Sequence, residues 1–314
     1  ILGIGRRNLI AIETDGNNRI RPELLERKCA QLHKEGTRVM AIIGVAGSSE
    51  TGSVDPLNAI ADIAQEHKVH FHVDSAWGGP TLFSRKHRPL LAGIERADSV
   101  TIDAHKQLYV PMGAGLCVFK QPETLASVEH HAEYIIRKGS KDLGSHSVEG
   151  SRPGMAILVH AGLHIIAKSG YELLIDEGIA KAKAFAEMIR QTSDFELITE
   201  PELNILTYRY VPEQARSGLE SDDKNIRQQT NQQLNRITKL IQKTQRGRGL
   251  SFVSRTQLNP ERYEREPIVV FRVVLANPLT TLEILVKVLE EQREIVADPA
   301  VQEEIALFPS THRD

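Results

Sequence analysis

Residues 69–79 read Val69-His70-Phe71-His72-Val73-Asp74-Ser75-Ala76-Trp77-Gly78-Gly79, a strand pattern over Val69 to Val73 that runs into an acidic, small and glycine-rich turn. In a parallel sheet covered by helices, ligands gather just past the carboxyl ends of strands. There an acidic side chain can face the ligand and glycines let the backbone come close. The flanking sequence has this organisation. Val39 to Ala46 is a continuous apolar run of strand length, suited to a parallel strand covered on both faces. Asp55-Pro56 reads as an N-cap followed by a first-turn proline, and Leu57, Ile60, Ala61 and Ala64 form the inner face of a helix ending near Lys68. Further upstream, Pro22 opens a helix whose stripe Leu24, Leu25, Lys28 and Leu32 stops at Gly36. Asn8 to Glu13 reads as a short strand closed by the turn residues Thr14 to Asn18. Downstream, strands at Ser99 to Asp103 and Gly115 to Phe119 complete a β-α-β-α-β order. The fold class is α/β with a mainly parallel sheet.

The second half changes character. Pro153 to Thr192 is strongly helical with a break near Ser169-Gly170, a stretch suited to bridging two domains. Strand candidates Phe195 to Ile198, Ile205 to Tyr210, Leu250 to Val253 and Ile268 to Leu275 then alternate with helices near Asn225 to Gln245 and Leu282 to Val296, an α+β pattern. The polar stretch Glu213 to Asp223 reads as a surface loop. The expected division is residues 1–168 and residues 169–314.

Composition narrows the function. Thirty-nine Lys+Arg against 41 Asp+Glu leave a net charge of −2, which offers no global field for nucleic acid or anionic lipid. No apolar run reaches about 18 residues, so no membrane span is expected. Cys29 and Cys117 are the only cysteines, too few for a disulfide framework or a cysteine metal site, and a cytoplasmic location is expected. The opening Ile1-Leu2-Gly3-Ile4-Gly5-Arg6-Arg7 lacks the order of a signal peptide, and its non-methionine start suggests a portion of something longer.

Three side chains in the opening stretch alternate to one face: His70, His72 and Asp74. A metal site is one reading; core histidines satisfied by hydrogen bonds is the stronger one, and no metal is expected. Asp74 gains meaning from Ser99-Val100-Thr101-Ile102-Asp103-Ala104-His105-Lys106, which ends the next strand candidate. A lysine there suits a Schiff base with an aldehyde cofactor, and an aspartate one strand away suits a protonated pyridine nitrogen, the pairing that pyridoxal 5'-phosphate requires. Ala76, two positions on, points the same way as Asp74 and is small enough to lie against a ring. His105 is placed to donate to a phosphate.

These residues resemble the group II pyridoxal-phosphate amino-acid decarboxylases, which include glutamate, aromatic amino-acid and cysteine-sulfinate decarboxylases. The resemblance is firmest over Gly47 to Leu57, His72 to Gly79, Ser84-Arg85-Lys86-His87, Gly93 to Val100 and His105-Lys106. It implies aminotransferase fold type I, with part of the large domain followed by a small carboxyl-terminal domain. By position, Lys106 resembles the cofactor-linking lysine, Asp74 the pyridine-nitrogen partner, Ala76 the ring-face residue, His105 a phosphate neighbour and Ser49 a hydroxyl near the cofactor. Phe271-Arg272-Val273-Val274-Leu275-Ala276-Asn277-Pro278 is similar to the segment whose arginine grips a substrate carboxylate in glutamate decarboxylases, a task suited to the planar fork of Arg272. A buried structural ion pair is the competing role for Arg272. Asp98 to Phe119 most resembles the bacterial subgroup that converts aspartate to β-alanine.

The resemblance therefore implies decarboxylation of an acidic amino acid, aspartate or glutamate, by a homodimer. Two departures stand out. Alignment through Arg152 puts the family's proton-donating loop tyrosine near Lys141 to Leu143, where there is none, and Tyr134 comes too early. Asp103 also replaces a neutral asparagine that many relatives have near the phosphate. In relatives the phosphate-binding loop and a ring-stacking aromatic residue precede the position of Ile1. A sphingosine-phosphate-lyase-like carbon-carbon lyase is the alternative within the fold, and an inactive portion serving as a scaffold or binding module is the alternative outside catalysis.

Overall fold

The apolar runs and turns of residues 39–119 give four strands in the order β1 (Ala41–Val45), β2 (His70–Asp74), β3 (Ser99–Asp103) and β4 (Gly115–Phe119). The first three are mutually parallel, with His72 opposite Ser99 and Asp74 opposite Thr101. β4 is antiparallel and sets Gly115 against Asp103. Parallel neighbours need a crossover, and α2 (Leu57–Glu66) supplies the first. Its Leu57 and Ile60 lie against Gly44, where an added Cβ would come within 3.1 Å of both side chains; glycine is what lets helix and strand close up. α1 (Pro22–Lys34) buries Leu25 and Cys29 and packs on α2. Pro56, where Asp55 was expected, holds the N-cap position of α2, and the Asp55 carboxylate accepts the Val45 N–H at 2.8 Å.

This computed structural model describes residues 3–131, 134, 136, 137, 139, 143–147 and 153–308. Two compact units result. One holds the sheet just described and spans residues 22–46 and 55–172; the other comprises residues 1–21, 47–54 and 173–314. The helix α3 (Met155–Arg190) runs from one into the other, and Ala167 breaks it with φ 57 and ψ 175, two residues before the expected Ser169-Gly170.

The second unit contains an antiparallel sheet in the order β5 (Phe195–Thr199), β6 (Ile205–Tyr210), β8 (Ile268–Val274) and β7 (Ser254–Leu258). Phe185 and Ile189 of α3 join Tyr208 and Phe271 in its core. Leu234, Ile237 and Ile241 of α5 (Lys224–Arg248) and Leu285 and Leu289 of α6 (Leu282–Val296) complete that cluster. α7 (Pro299–Ile305) follows.

Three further stretches differ from expectation. Residues 9–13 form no strand among the described residues, with Leu9 and Ile10 exposed; a Thr14–Ile20 bridge and the Asp15 N–H to Arg19 O bond close the expected turn. The polar segment after Pro212 forms α4 (Glu213–Leu219), which buries Ala215 and sets Gly218 against Thr230 of α5. The strand expected at Leu250 to Val253 begins at Ser254 instead. α5 runs on to Arg248, Gly249 caps it in the left-handed region, and Leu250 and Phe252 are exposed in the connection.

Candidate active site

Asp74 and Asp103 are the last residues of adjacent parallel strands, and the chain beyond them stays laced together. Ser75 N–H and Oγ both donate to Thr101 O, at 3.1 and 2.7 Å, and Asp103 N–H donates to Ala76 O at 3.2 Å. Gln107 Nε2 donates to Trp77 O at 2.8 Å. The two motifs singled out in the sequence, Asp74-x-Ala76 and His105-Lys106, are thus brought side by side by backbone hydrogen bonds. Asp74 is exposed, and its Oδ1 accepts the Ala76 N–H at 3.1 Å.

The lysine stands on a firm base. Ala104, Leu108, Val110, Ala114 and Tyr171 form a buried cluster beneath it, and Tyr171 Oη donates to Leu108 O at 3.0 Å. Lys106 Nζ lies 2.8 Å from Asp103 Oδ2, and His105 Nε2 lies 3.8 Å from the same oxygen. His105 Nδ1 is 3.0 Å from Ala114 O, which makes Nδ1 the donor there. Tyr109, whose N–H donates to Lys106 O at 3.1 Å, holds φ at 56°, and burial pushes its phenol pKa up. The Asp103–Lys106 pair and the left-handed Tyr109 were missed in the sequence. The three-residue spacing of Asp103 and Lys106 was the available signal for the pair; nothing in the sequence marks the backbone of Tyr109.

His70 and His72 share one hydroxyl. Ser99 Oγ lies 2.8 Å from His70 Nε2 and 2.8 Å from His72 Nδ1, and Thr101 Oγ1 lies 3.2 Å from His72 Nε2. Burial lowers the pKa of His72; Asp74 works in the opposite direction and His70 adds to the lowering. The two half-buried rings are engaged by hydroxyls, and His70 Nδ1 also lies 4.0 Å from Asp98 Oδ2.

Ser49 and Arg272 belong to the other unit, where the structure brings them together. Arg272 Nε donates to Ser49 O at 2.6 Å. The loop 47–54 is stiff: the hydroxyls of Ser48, Thr51 and Ser53 stand 2.7 to 3.1 Å apart, and Ser53 Oγ donates to Asn18 O. Gly52, at φ 72, lets the loop press on β6, since a Cβ there would sit 2.9 Å from Ile205 Cβ. Arg272 lies on β8 opposite Thr207 and Ser254. Burial pushes its guanidinium pKa down, and Glu50 opposes this. Among the described residues no carboxylate is within ion-pair reach of Arg272, though Glu50 acts on it at longer range. Ser49 contributes its main-chain carbonyl here, whereas the sequence pointed to its hydroxyl. Lys141, Asp142 and Arg152 lie outside the described residues; Tyr134 is exposed.

Comparison with known proteins adds the following. The profile of the pyridoxal-dependent decarboxylase conserved domain matches residues 2–211. An aspartate 1-decarboxylase of Aliivibrio fischeri is 57% identical over 303 residues, which cover 96% of this chain and 55% of that relative. An acidic amino acid decarboxylase of Bos taurus is 34% identical over 220 residues, 67% of this chain and 42% of the relative. Among solved structures, mouse CSAD in its apo form superposes with a TM-score of 0.84 at 28% identity, covering 94% of this chain and 60% of that one. The chain thus spans about half the length of the curated relatives it matches.

Proposed function

Because the chain belongs to the pyridoxal-dependent decarboxylase family and has its fold type I architecture, we propose that it carries the cofactor-linking and substrate-gripping residues for decarboxylation of an acidic L-amino acid, aspartate to β-alanine or glutamate to γ-aminobutyrate. The observation that carries this reading is the juxtaposition at the carboxyl ends of β2 and β3, an amine and a carboxylate on segments joined by the Asp103–Ala76 hydrogen bond. That donor set fits pyridoxal 5'-phosphate: an amine for its aldehyde, a carboxylate for its ring nitrogen and a small methyl for its flat face. Relatives named for aspartate and for acidic amino acids support the substrate class.

When bound, the cofactor supplies a protonated pyridine ring that accepts the electron pair left as carbon dioxide departs. The protein's residues do the rest. Asp74 holds the ring-nitrogen proton by ion pairing. Ala76 leaves the ring room to lie flat. His105, its ring fixed by the Nδ1–Ala114 O bond, would stand beside the phosphate, and the family resemblance assigns Ser49 a hydroxyl near the cofactor. Lys106 would hold the cofactor through its aldehyde, and its amine, once freed, would be a group able to carry a proton at the α-carbon. Arg272 receives a substrate carboxylate with its two terminal nitrogens, a bidentate fit that Lys cannot copy.

The test is product analysis with pyridoxal 5'-phosphate and each amino acid supplied separately. β-Alanine or γ-aminobutyrate with equimolar carbon dioxide is expected; amine from neither acid overturns the assignment. The same reading places the enzyme in the cytoplasm as a homodimer, which sedimentation checks. Among the described residues no helix is long and apolar enough to cross a membrane.

A further inference from the structure

Capture of an aldehyde needs an uncharged amine, because an ammonium has no electron pair to offer. Lys106 stands against a carboxylate. Its Nζ is ion-paired with Asp103 Oδ2 at 2.8 Å, the two side chains being 29% and 23% exposed. We propose that Asp103 is a positioning residue that parks Lys106 as a charged amine at the strand end, so that capture of an aldehyde by Lys106 proceeds through rupture of this pair. The inference rests on Lys106 being the residue that bonds the cofactor.

The carboxylate is anchored from several sides. Asp103 ends β3, its N–H is tied to Ala76 O, and its side chain lies over Gly115 of β4, where an added Cβ would sit 3.5 Å from Oδ1. Lys106 N–H donates to Asp103 O at 3.2 Å and closes the turn that brings the two side chains together. The other titratable groups near this strand end are His105 and Tyr109 on the same connection, His72 and Asp74 on β2, and Cys117 on β4 opposite Thr101. Among the described residues, Asp103 is the carboxylate within ion-pair reach of Lys106.

The covalent step balances without a redox partner. The ammonium releases one proton to solvent, and the neutral amine adds to the aldehyde carbon. The carbonyl oxygen then departs as water with the two remaining amine hydrogens, leaving a carbon–nitrogen double bond. Each such event requires the ammonium to leave the Asp103 carboxylate first. Asn at position 103 keeps the shape and removes the attraction.

Pyridoxal, which lacks the phosphate and its steering, is the probe. The unmutated chain and Asp103→Asn are incubated with it, trapped with borohydride, and the rate of label at Lys106 is followed by peptide mass. Labelling of Lys106 in both proteins is expected, about two- to fivefold faster in Asp103→Asn, the range set by a partly exposed ion pair. Raising salt from about 0.05 to about 0.5 M speeds labelling of the unmutated chain by screening the pair and leaves Asp103→Asn unchanged. If Asp103→Asn does not fold, the salt response of the unmutated chain decides alone. Lys106 labelled at an equal or slower rate in the variant, or labelled in the unmutated chain without a salt response, overturns the proposal. Absence of label from Lys106 in either protein overturns the underlying reading of that lysine.

Discussion

Arg209 and Lys106 each sit 2.8 Å from a carboxylate oxygen, and they differ in nearly everything else. Arg209, in β6, is 0% exposed; its Nε donates to Glu196 Oε2, its Nη1 to Asn231 Oδ1 at 2.9 Å, and its guanidinium lies 4.5 Å from the centre of the Tyr263 ring. Tyr263 Oη also donates to Glu196, and burial is the main cause raising its phenol pKa to about 12. Lys106 has one charged partner and an open end at a strand terminus. A charge enclosed by protein serves folding, since removing it takes a hydrogen-bond partner from Glu196 and Asn231 and empties a buried site. A charge held from one side at the carboxyl edge of a parallel sheet can be exchanged for a ligand bond. Distance alone does not separate the two; the surroundings do.

The sharpest way to break this contrast is to remove each cation. Lys106→Ala is expected to lower turnover by about a thousandfold or more while leaving the unfolding transition near that of the unmutated protein. Arg209→Ala is expected to destabilise the fold by about 3–5 kcal/mol, because Glu196 and Asn231 lose a buried partner. Denaturant melts and steady-state assays on both variants check this. A destabilised Lys106→Ala with intact specific activity, or a stable but inactive Arg209→Ala, would reverse the assignment of the two roles.

A third cation sharpens the comparison. Arg272 is half buried like a structural residue, yet a single carbonyl, that of Ser49, holds its Nε. Arg272→Lys keeps the charge and loses the fork, so the apparent KM for the acidic substrate should rise about tenfold with kcat and melting less affected. A variant that melts early with unaltered KM would make Arg272 structural.

Much of this was legible in the sequence, and the reasons are local. The strand pattern ending at Asp74 and the one ending at Asp103 depend on apolar periodicity and on turn residues, which short stretches carry by themselves. Lys106 and Asp74 could be matched because the carboxyl-end rule says where reactive groups collect. Other features needed the folded chain. α4 exists because Gly218 meets Thr230, a contact between segments whose polarity alone suggested a loop. Leu9 and Ile10 had strand composition without a neighbour to complete the strand. The tether on Arg272 comes from a main-chain carbonyl, a group every residue has, so no residue type announces it.

The smallest expected effect concerns His72, the histidine whose ring is engaged by Ser99 and Thr101. Its pKa in the folded chain is lowered, mainly by burial, below the ordinary imidazole value of 6.5. The unfolded chain therefore binds a proton more readily than the folded chain between that lowered value and 6.5, and stability rises with pH wherever the unfolded state holds more protons. The contribution is fully present above 6.5 and declines as pH falls through the window beneath it. His72→Gln keeps an amide to bond the Ser99 and Thr101 hydroxyls and removes the titration. The urea midpoint of the unmutated chain should then drop further than that of His72→Gln when pH is lowered from about 7.5 to about 5.5. The other titratable groups near the ring, His70 and Asp74 on its own strand, are common to both proteins, so the difference between the two slopes belongs to His72. Parallel slopes would mean that the ring takes up its proton as easily in the folded chain as in the unfolded one, and that the hydroxyls of Ser99 and Thr101 accommodate a cation.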